Sequence, residues 1–250
     1  TYTGDNMTTT LGINGFGRIG RTTLASISEY SRNDVVVSKI NAPGPIETNA
    51  HLLRYDSVHG RFAAKVEVKE NSLDLGRGPI EVSSSYNAAD LDWSGCDVVL
   101  ECTGKFTTYD KALTHVKNGA KSVLISAPAK NVDRTVIFGV NEHQITGKEQ
   151  ILSNGSCTTN CLAPIAKILN NAVGIEHGMM TTIHSYTGDQ PTLDKKHDDL
   201  YRCRAAAMAI IPTSTGAAKT IGTVIPELAG KLDGTAIRVP TPNVSAIDLT

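Results

Sequence analysis

The stretch LGINGFGRIGR, residues 11–21, limits the fold more than any other feature of the chain. It places Gly15-x-Gly17-x-x-Gly20 directly after an apolar run and at the opening of an amphipathic one. A strand that turns through such a loop into a helix begins a βαβ unit, and βαβ units build parallel sheets. Each glycine has a mechanical reason. Gly15 permits the tight turn, Gly17 lets the backbone approach a pyrophosphate, and Gly20 lets helix and strand pack closely. The helix N-terminus then offers free N–H groups and partial positive charge to the phosphates. A glycine-rich turn with no ligand would use the same residues, but the pattern that follows favours a dinucleotide site.

That pattern alternates β-branched runs with amphipathic ones. Strands fit TTTLGIN (8–14), DVVVSKIN (34–41), DVVLECT (97–103), KSVLIS (121–126) and TVIFGV (135–140), with helices over 18–31, 46–56 and 109–118. Between them RFAAKVEVKENSLDLGRGPIEVSSS (61–85) reads as an antiparallel excursion. Near Gly155 the pattern changes. A helix from about 158 to 172 leads into longer strands at 178–187, 235–241 and 243–250. The chain therefore reads as α/β: a Rossmann-type parallel-sheet domain over 8–156, then an α+β domain with a mixed or antiparallel sheet over 157–250. At 250 residues and 40% hydrophobic content, two domains can each bury a core.

Lys plus Arg number 24 against 25 Asp plus Glu, so no overall field recruits nucleic acid or an anionic membrane surface. No run approaches the ~18 apolar residues of a membrane span, and TYTGDNMTTT has neither the basic start nor the apolar core of a signal peptide. Met7 reads as a biological start, with TYTGDN an extension outside the fold. Five cysteines, an odd number in a chain this long, suggest a reducing compartment and free thiols. A cytoplasmic protein is expected.

SNGSCTTNCLAP, residues 153–164, carries two of those cysteines four apart. A metal site, a disulfide, two packed thiols, and one nucleophile with a bystander all compete. Zinc knuckles use closer pairs with a second pair nearby, and helical geometry holds i,i+4 cysteines too far apart for an unstrained bridge. Ser156 is a natural N-cap, which puts Cys157 in the first turn of a helix, where free N–H groups and the dipole lower a thiol pKa. Cys161, one turn deeper among apolar neighbours, is expected to be an inert core residue. A nucleophilic thiol needs a base, and His184, ending an apolar strand, is the candidate; a packed histidine would look the same. His51, His59, His115, His143, His177 and His197 read as lying in loops or on polar faces. Paired with a dinucleotide loop, a thiolate and an imidazole imply covalent aldehyde oxidation, with hydride passing to a nicotinamide.

INGFGRIGR, HLLRYDSVHG, ECTGKF, SAPAK, SNGSCTTNCLAP, TTIHSYTGDQ, IIPTSTGAAK and RVPTPNVSAIDLT together resemble the phosphorylating glyceraldehyde-3-phosphate dehydrogenase family, in order from Leu11 to Thr250. The resemblance implies that Cys157 is the nucleophile and His184 its base. It implies cofactor contacts from Gly15, Phe16, Gly17, Arg18, Ile19, Gly20, Asn41, Ala42, Thr103, Gly104 and Ser126. Ser156, Thr158, Thr215 and Gly216 are implied for inorganic phosphate, and Thr187, Asp189, Arg204 and Arg238 for the C3 phosphate of glyceraldehyde 3-phosphate. A homotetramer using NAD or NADP follows, with no metal. Erythrose-4-phosphate dehydrogenase, or a non-catalytic dinucleotide-binding or thiol-sensing fragment, are the alternatives.

Three departures matter. Members of the family that use NAD carry an aspartate where this chain has Ala42, and that carboxylate bonds the ribose hydroxyls and repels a 2′-phosphate. Lys195 and Lys196 stand where those members have Leu-Pro, toward the adenosine ribose of a neighbouring subunit. NADP acceptance is expected on both counts. The family chain also continues past RVPTPNVSAIDLT, adding a nicotinamide-orienting asparagine and a helix that packs on the first domain; without that helix an exposed apolar face is expected there.

Overall fold

The computed structural model describes residues 8–250, so Met7 and the TYTGDN stretch lie outside the described residues. Chain order is β1 (Thr9–Asn14), α1 (Arg18–Glu29), β2 (Val35–Asn41), α2 (Ile46–Arg54), the hairpin β3 (Tyr55–Asp56) and β4 (Gly60–Arg61), then β5 (Glu67–Lys69), β6 (Ser72–Asp74) and β7 (Pro79–Ser83). After these come β8 (Val98–Glu101), α3 (Tyr109–Lys117), β9 (Ser122–Ile125), β10 (Arg134–Thr135) and β11 (Ile151–Ser153). The remainder is α4 (Cys157–Val173), β12 (Gly178–Ser185), β13 (Ile211–Ser214), α5 (Ala217–Val224), β14 (Leu232–Val239) and β15 (Ser245–Leu249).

The chain divides into two compact units, one of residues up to 135 with 145–154, the other of 136–144 with 155–250. In the first, a nine-stranded sheet runs β10-β11-β9-β8-β1-β2-β7-β6-β5. All its pairs are parallel from β10 to β7, and β6 and β5 join antiparallel at the edge. The excursion over 61–85 thus extends the main sheet. Winding proceeds outward from β1 to β2, then returns to β8 on the other side of β1. That reversal opens a crevice at the carboxyl ends of β1 and β8, the usual ligand position in such sheets. Ile13, Ile40, Val99, Val123 and Ile125 are buried beneath it.

TVIFGV does not form the expected strand. Only Arg134–Thr135 pairs; the chain then turns through 138–140, and Ile137 and Val140 enter the core of the second unit. The last strand of the parallel series is instead β11, absent from the sequence reading because three residues give no usable periodicity.

The second unit has a four-stranded sheet, β13-β14-β12-β15, in which β12 pairs parallel with β14 and antiparallel with β15. Leu162, Ala163 and Ala166 of α4 pack with Ala217, Ala218 and Ile221 of α5 and with Met180 and Leu232 from the sheet. The small side chains on both helices bring their N-termini together: Thr159 Oγ1 donates to the carbonyl of Ala217 at 3.4 Å.

Candidate active site

The glycine loop leaves β1 and enters α1 as its spacing requires. Gly15 sits at φ +94°, where a Cβ would lie 2.7 Å from the Thr103 side chain. At Gly20 a Cβ would meet the Gly15 carbonyl oxygen at 2.2 Å, so helix and loop touch there. Gly17, the N-cap of α1, has nothing within 4 Å of a would-be Cβ: the space a phosphate needs is open. A crevice of about 240 Å³ lies beside it, lined by Asn14, Gly15, Gly17, Asn41, Thr103 and others. These features fit a dinucleotide, with Gly17 and the α1 N-terminus facing the phosphates.

Other residues named for the cofactor are placed variously. Phe16 and Ala42 are buried, at 5% and 2% exposure, so only backbone is offered by the first. Arg18 and Ile19 begin α1, with Arg18 paired to Asp56. Gly104, at φ +70°, follows Thr103, and Ser126 bonds the Glu101 carbonyl through both its N–H and its hydroxyl. Lys195 and Lys196 are exposed in the loop between β12 and β13, where the Lys195 N–H bonds the Cys203 carbonyl.

In the second unit, Ser156 caps α4 by accepting the Thr159 N–H at 3.0 Å, which fixes Cys157 as the first helical residue. Its sulfur lies 3.2 Å from His184 Nε2. His184 Nδ1 is 2.7 Å from the Ser185 carbonyl, an acceptor only, so Nδ1 carries a proton and Nε2 is the nitrogen that exchanges one with sulfur. Cys157 is exposed and the imidazole beneath it is 7% exposed. The His184 hydrogen bond pulls the thiol below its ordinary value against the opposing effect of burial, and the Thr158 N–H and hydroxyl add to the lowering. The same bond raises the imidazole against burial, with help from the Ser185 carbonyl. Each group thus favours the charge of the other.

Cys161 is not the core residue expected. It is an exposed free thiol, because α4 buries Thr158, Thr159, Leu162, Ala163 and Ala166 while Cys161 shares the opposite stripe with Ile165 and Ile168.

Strand pairing adds a cationic wall. His184 and Arg238 are register partners on β12 and β14. Arg238 Nη1 donates to the Ser185 carbonyl at 3.1 Å and to Thr187 Oγ1 at 3.3 Å, while its buried Nε has no partner. Arg202, not Arg204, joins it. Arg202 reaches Asp189 at 3.0 Å and Thr213 at 3.0 Å, whereas Arg204 is turned to solvent and paired with Asp194 at 3.1 Å. Two places apart in an irregular loop, the two arginines cannot be told apart from sequence. Burial, then the charge of Arg202, loosens Arg238's hold on its proton, as expected where cations share a pocket built for an anion. His197, read as a surface histidine, bonds Asp189 in the same cluster at 3.2 Å. Thr215 accepts the Ala217 N–H at 3.2 Å beside Gly216, the N-cap of α5, so Ser156, Thr158, Thr215 and Gly216 border two converging helix N-termini.

A parallel-sheet unit with a dinucleotide loop, followed by a unit that sets a thiol against an imidazole, defines the class: a nicotinamide-dinucleotide dehydrogenase. The family model described as the NAD binding domain of glyceraldehyde 3-phosphate dehydrogenase matches residues 9–109, and the one described as its C-terminal domain matches residues 156–250. Glyceraldehyde-3-phosphate dehydrogenases from Xanthobacter flavus and Cereibacter sphaeroides are 62% and 60% identical over 245 and 243 residues, and one from Geobacillus stearothermophilus is 52% identical over 246. Each alignment covers 97% of this chain and 73% of the relative. The chain belongs to the glyceraldehyde-3-phosphate dehydrogenase family.

Proposed function

We propose that the protein oxidises and phosphorylates D-glyceraldehyde 3-phosphate to 1,3-bisphosphoglycerate, with Cys157 as nucleophile and His184 as acid and base. The observation that carries this reading is the 3.2 Å Cys157–His184 contact at the head of α4. Cys157, as thiolate, adds to the aldehyde carbon, and His184 delivers its Nε2 proton to the carbonyl oxygen to give a hemithioacetal. When bound, the nicotinamide ring supplies an acceptor for the hydride on that carbon. His184 takes back the hydroxyl proton as the carbonyl of the thioester forms. Inorganic phosphate then attacks the thioester; its C–S bond breaks, Cys157 leaves as thiolate, and the acyl phosphate departs.

Arg238, Thr187, Asp189 and Arg202 hold the substrate's C3 phosphate in this reading, with Arg202 taking the part first given to Arg204. Ser156, Thr158, Thr215 and Gly216 receive inorganic phosphate at the helix N-termini. The names of the relatives do not favour the erythrose 4-phosphate alternative. The reading extends to acceptance of NADP, supported by the missing carboxylate at Ala42 and the exposed Lys195–Lys196 pair, and to a cytoplasmic homotetramer. No helix of the described residues is long and apolar enough to cross a membrane.

The test is absorbance in the reduced-nicotinamide band after mixing protein, glyceraldehyde 3-phosphate and either dinucleotide. Sustained reduction with phosphate present, and a burst no larger than the Cys157 content without it, is expected. Failure to reduce either dinucleotide, or equal turnover by a Cys157→Ser variant, would contradict the reading.

A further inference from the structure

Behind the crevice lies a chain of buried polar groups that the proposed mechanism does not use. Glu101, at the end of β8, is 1% exposed, and His115 on α3, first read as a surface residue, is 0% exposed. The Glu101 carboxylate accepts four hydrogen bonds: from Asn14 Nδ2 at 2.6 Å, His115 Nε2 at 3.0 Å, the Thr103 N–H at 2.8 Å, and the Thr103 hydroxyl. Behind His115, the Trp93 indole N–H donates to Nδ1 at 3.1 Å. Ahead of Asn14, its Oδ1 accepts from Asn41 Nδ2 at 2.8 Å, and Asn41 is clamped by the N–H and carbonyl of Ser85 at 3.0 and 2.9 Å.

Apart from the Thr103 hydroxyl, which can donate or accept, the donors and acceptors in this chain have forced directions. Indole nitrogen can only donate, so His115 Nδ1 must accept and Nε2 must carry the proton toward Glu101. Ser85 fixes the Asn41 amide, Asn41 fixes Asn14, and Asn14 is left presenting its NH₂ to Glu101. Three of these partners, the Asn14 NH₂, the His115 Nε2–H and the Thr103 N–H, can only donate, and the two oxygens of Glu101 supply the acceptors they need. Asn14, Asn41 and Thr103 are themselves walls of the dinucleotide crevice and come from the ends of β1, β2 and the turn after β8.

We infer that Glu101, oriented by His115 and Trp93, is the positioning residue that sets the crevice walls for dinucleotide binding. The inference rests on the dinucleotide reading above. A glutamine at 101 has the same shape but must turn its NH₂ either toward the Thr103 N–H or toward the two donors of Asn14 and His115. At least one buried bond is lost, and the walls shift to relieve the conflict.

The test measures equilibrium binding of NAD and NADP, steady-state kinetics, and the alkylation rate of Cys157. Glu101→Gln should weaken dinucleotide binding by about tenfold, the scale of one unmade buried hydrogen bond, and raise the dinucleotide KM in proportion. The kcat at saturating dinucleotide and the Cys157 alkylation rate should stay within about threefold, because Cys157 and His184 belong to the other unit. Trp93→Phe alone should cost about two- to fivefold in affinity, yet it should improve binding by the Glu101→Gln protein, because His115 is then free to move its proton to Nδ1 and accept from the new amide. A residue that merely stabilises the fold predicts the opposite: two lesions that add, and kcat falling with affinity. That result, or a Glu101→Gln affinity within twofold of the wild type, overturns the inference. Should Glu101→Gln fail to fold, unchanged affinity in Trp93→Phe overturns it. A wild type that binds neither dinucleotide would sink the underlying reading as well, which the variants alone cannot do.

Discussion

Cys157 and Cys161 stand one helical turn apart, both exposed, but only Cys157 opens α4 and faces an imidazole. Cys157→Ser should abolish turnover while dinucleotide affinity stays near normal, since a hydroxyl is almost never ionised near neutral pH; Cys161→Ser should retain most activity. His184→Asn should lower kcat by roughly 10²–10⁴, the range of a lost general base, read in steady-state assays. Linkage gives the sign with pH. The His184 value is raised on folding, so its stabilising contribution is complete below about 6.5 and lost as pH rises through the raised value. The Cys157 value is depressed, so its contribution is present above about 8.5 and lost as pH falls through the lowered value. Arg202→Ala should raise the substrate KM by about tenfold or more, the cost of one charge-assisted contact to phosphate, with Arg204→Ala near wild type. Equal effects of the two would return Arg204 to the pocket.

At the scale of elements, the β1–α1 loop separates two roles that glycine can play. Gly20→Ala drives a methyl to 2.2 Å from the Gly15 carbonyl and should destabilise the first unit by roughly 2 kcal/mol or more, measured by denaturant unfolding. Gly17→Ala meets nothing in the protein, so stability should hold while dinucleotide affinity falls. Loss of stability in Gly17→Ala with affinity intact would contradict the phosphate assignment. This loop was legible in the sequence because its function is local: turn, close approach and helix start lie within six residues. The N-cap at Ser156 and its consequence for Cys157 were legible for the same reason. Glu101 and His115 were not, since the bonds that bury them join distant residues, Asn14 to Glu101 being 87 apart. Nor was β13, only four residues long, or the choice of Arg202, whose partners Asp189 and Thr213 lie 13 and 11 residues away across a segment with no period.

For the whole molecule the open variable is the dinucleotide. In the proposed reading, Ala42 leaves out a carboxylate that would repel a 2′-phosphate, and Lys195 and Lys196 would add charge-assisted contacts of about 1–3 kcal/mol, or about one to two decades in affinity. Wild type should therefore use NADP at least as well as NAD, with the preference fading as salt rises. Ala42→Asp should move the kcat/KM ratio toward NAD, and Lys195→Leu with Lys196→Pro should do so independently. A wild type strongly favouring NAD, with neither variant shifting the ratio, would contradict this.

The start of α4 and His184 together favour the thiolate form of Cys157, and competitive alkylation tests this most directly because Cys161 is an internal control. Protein treated with limiting iodoacetamide between about pH 5 and 9, with each site quantified by mass spectrometry, should show Cys157 modified at least about tenfold faster than Cys161 near pH 6.5, with a midpoint below the ordinary thiol value of about 8.5. In His184→Asn that midpoint should move upward and the advantage shrink. Equal rates at the two cysteines, or an unchanged Cys157 profile in His184→Asn, would contradict the account.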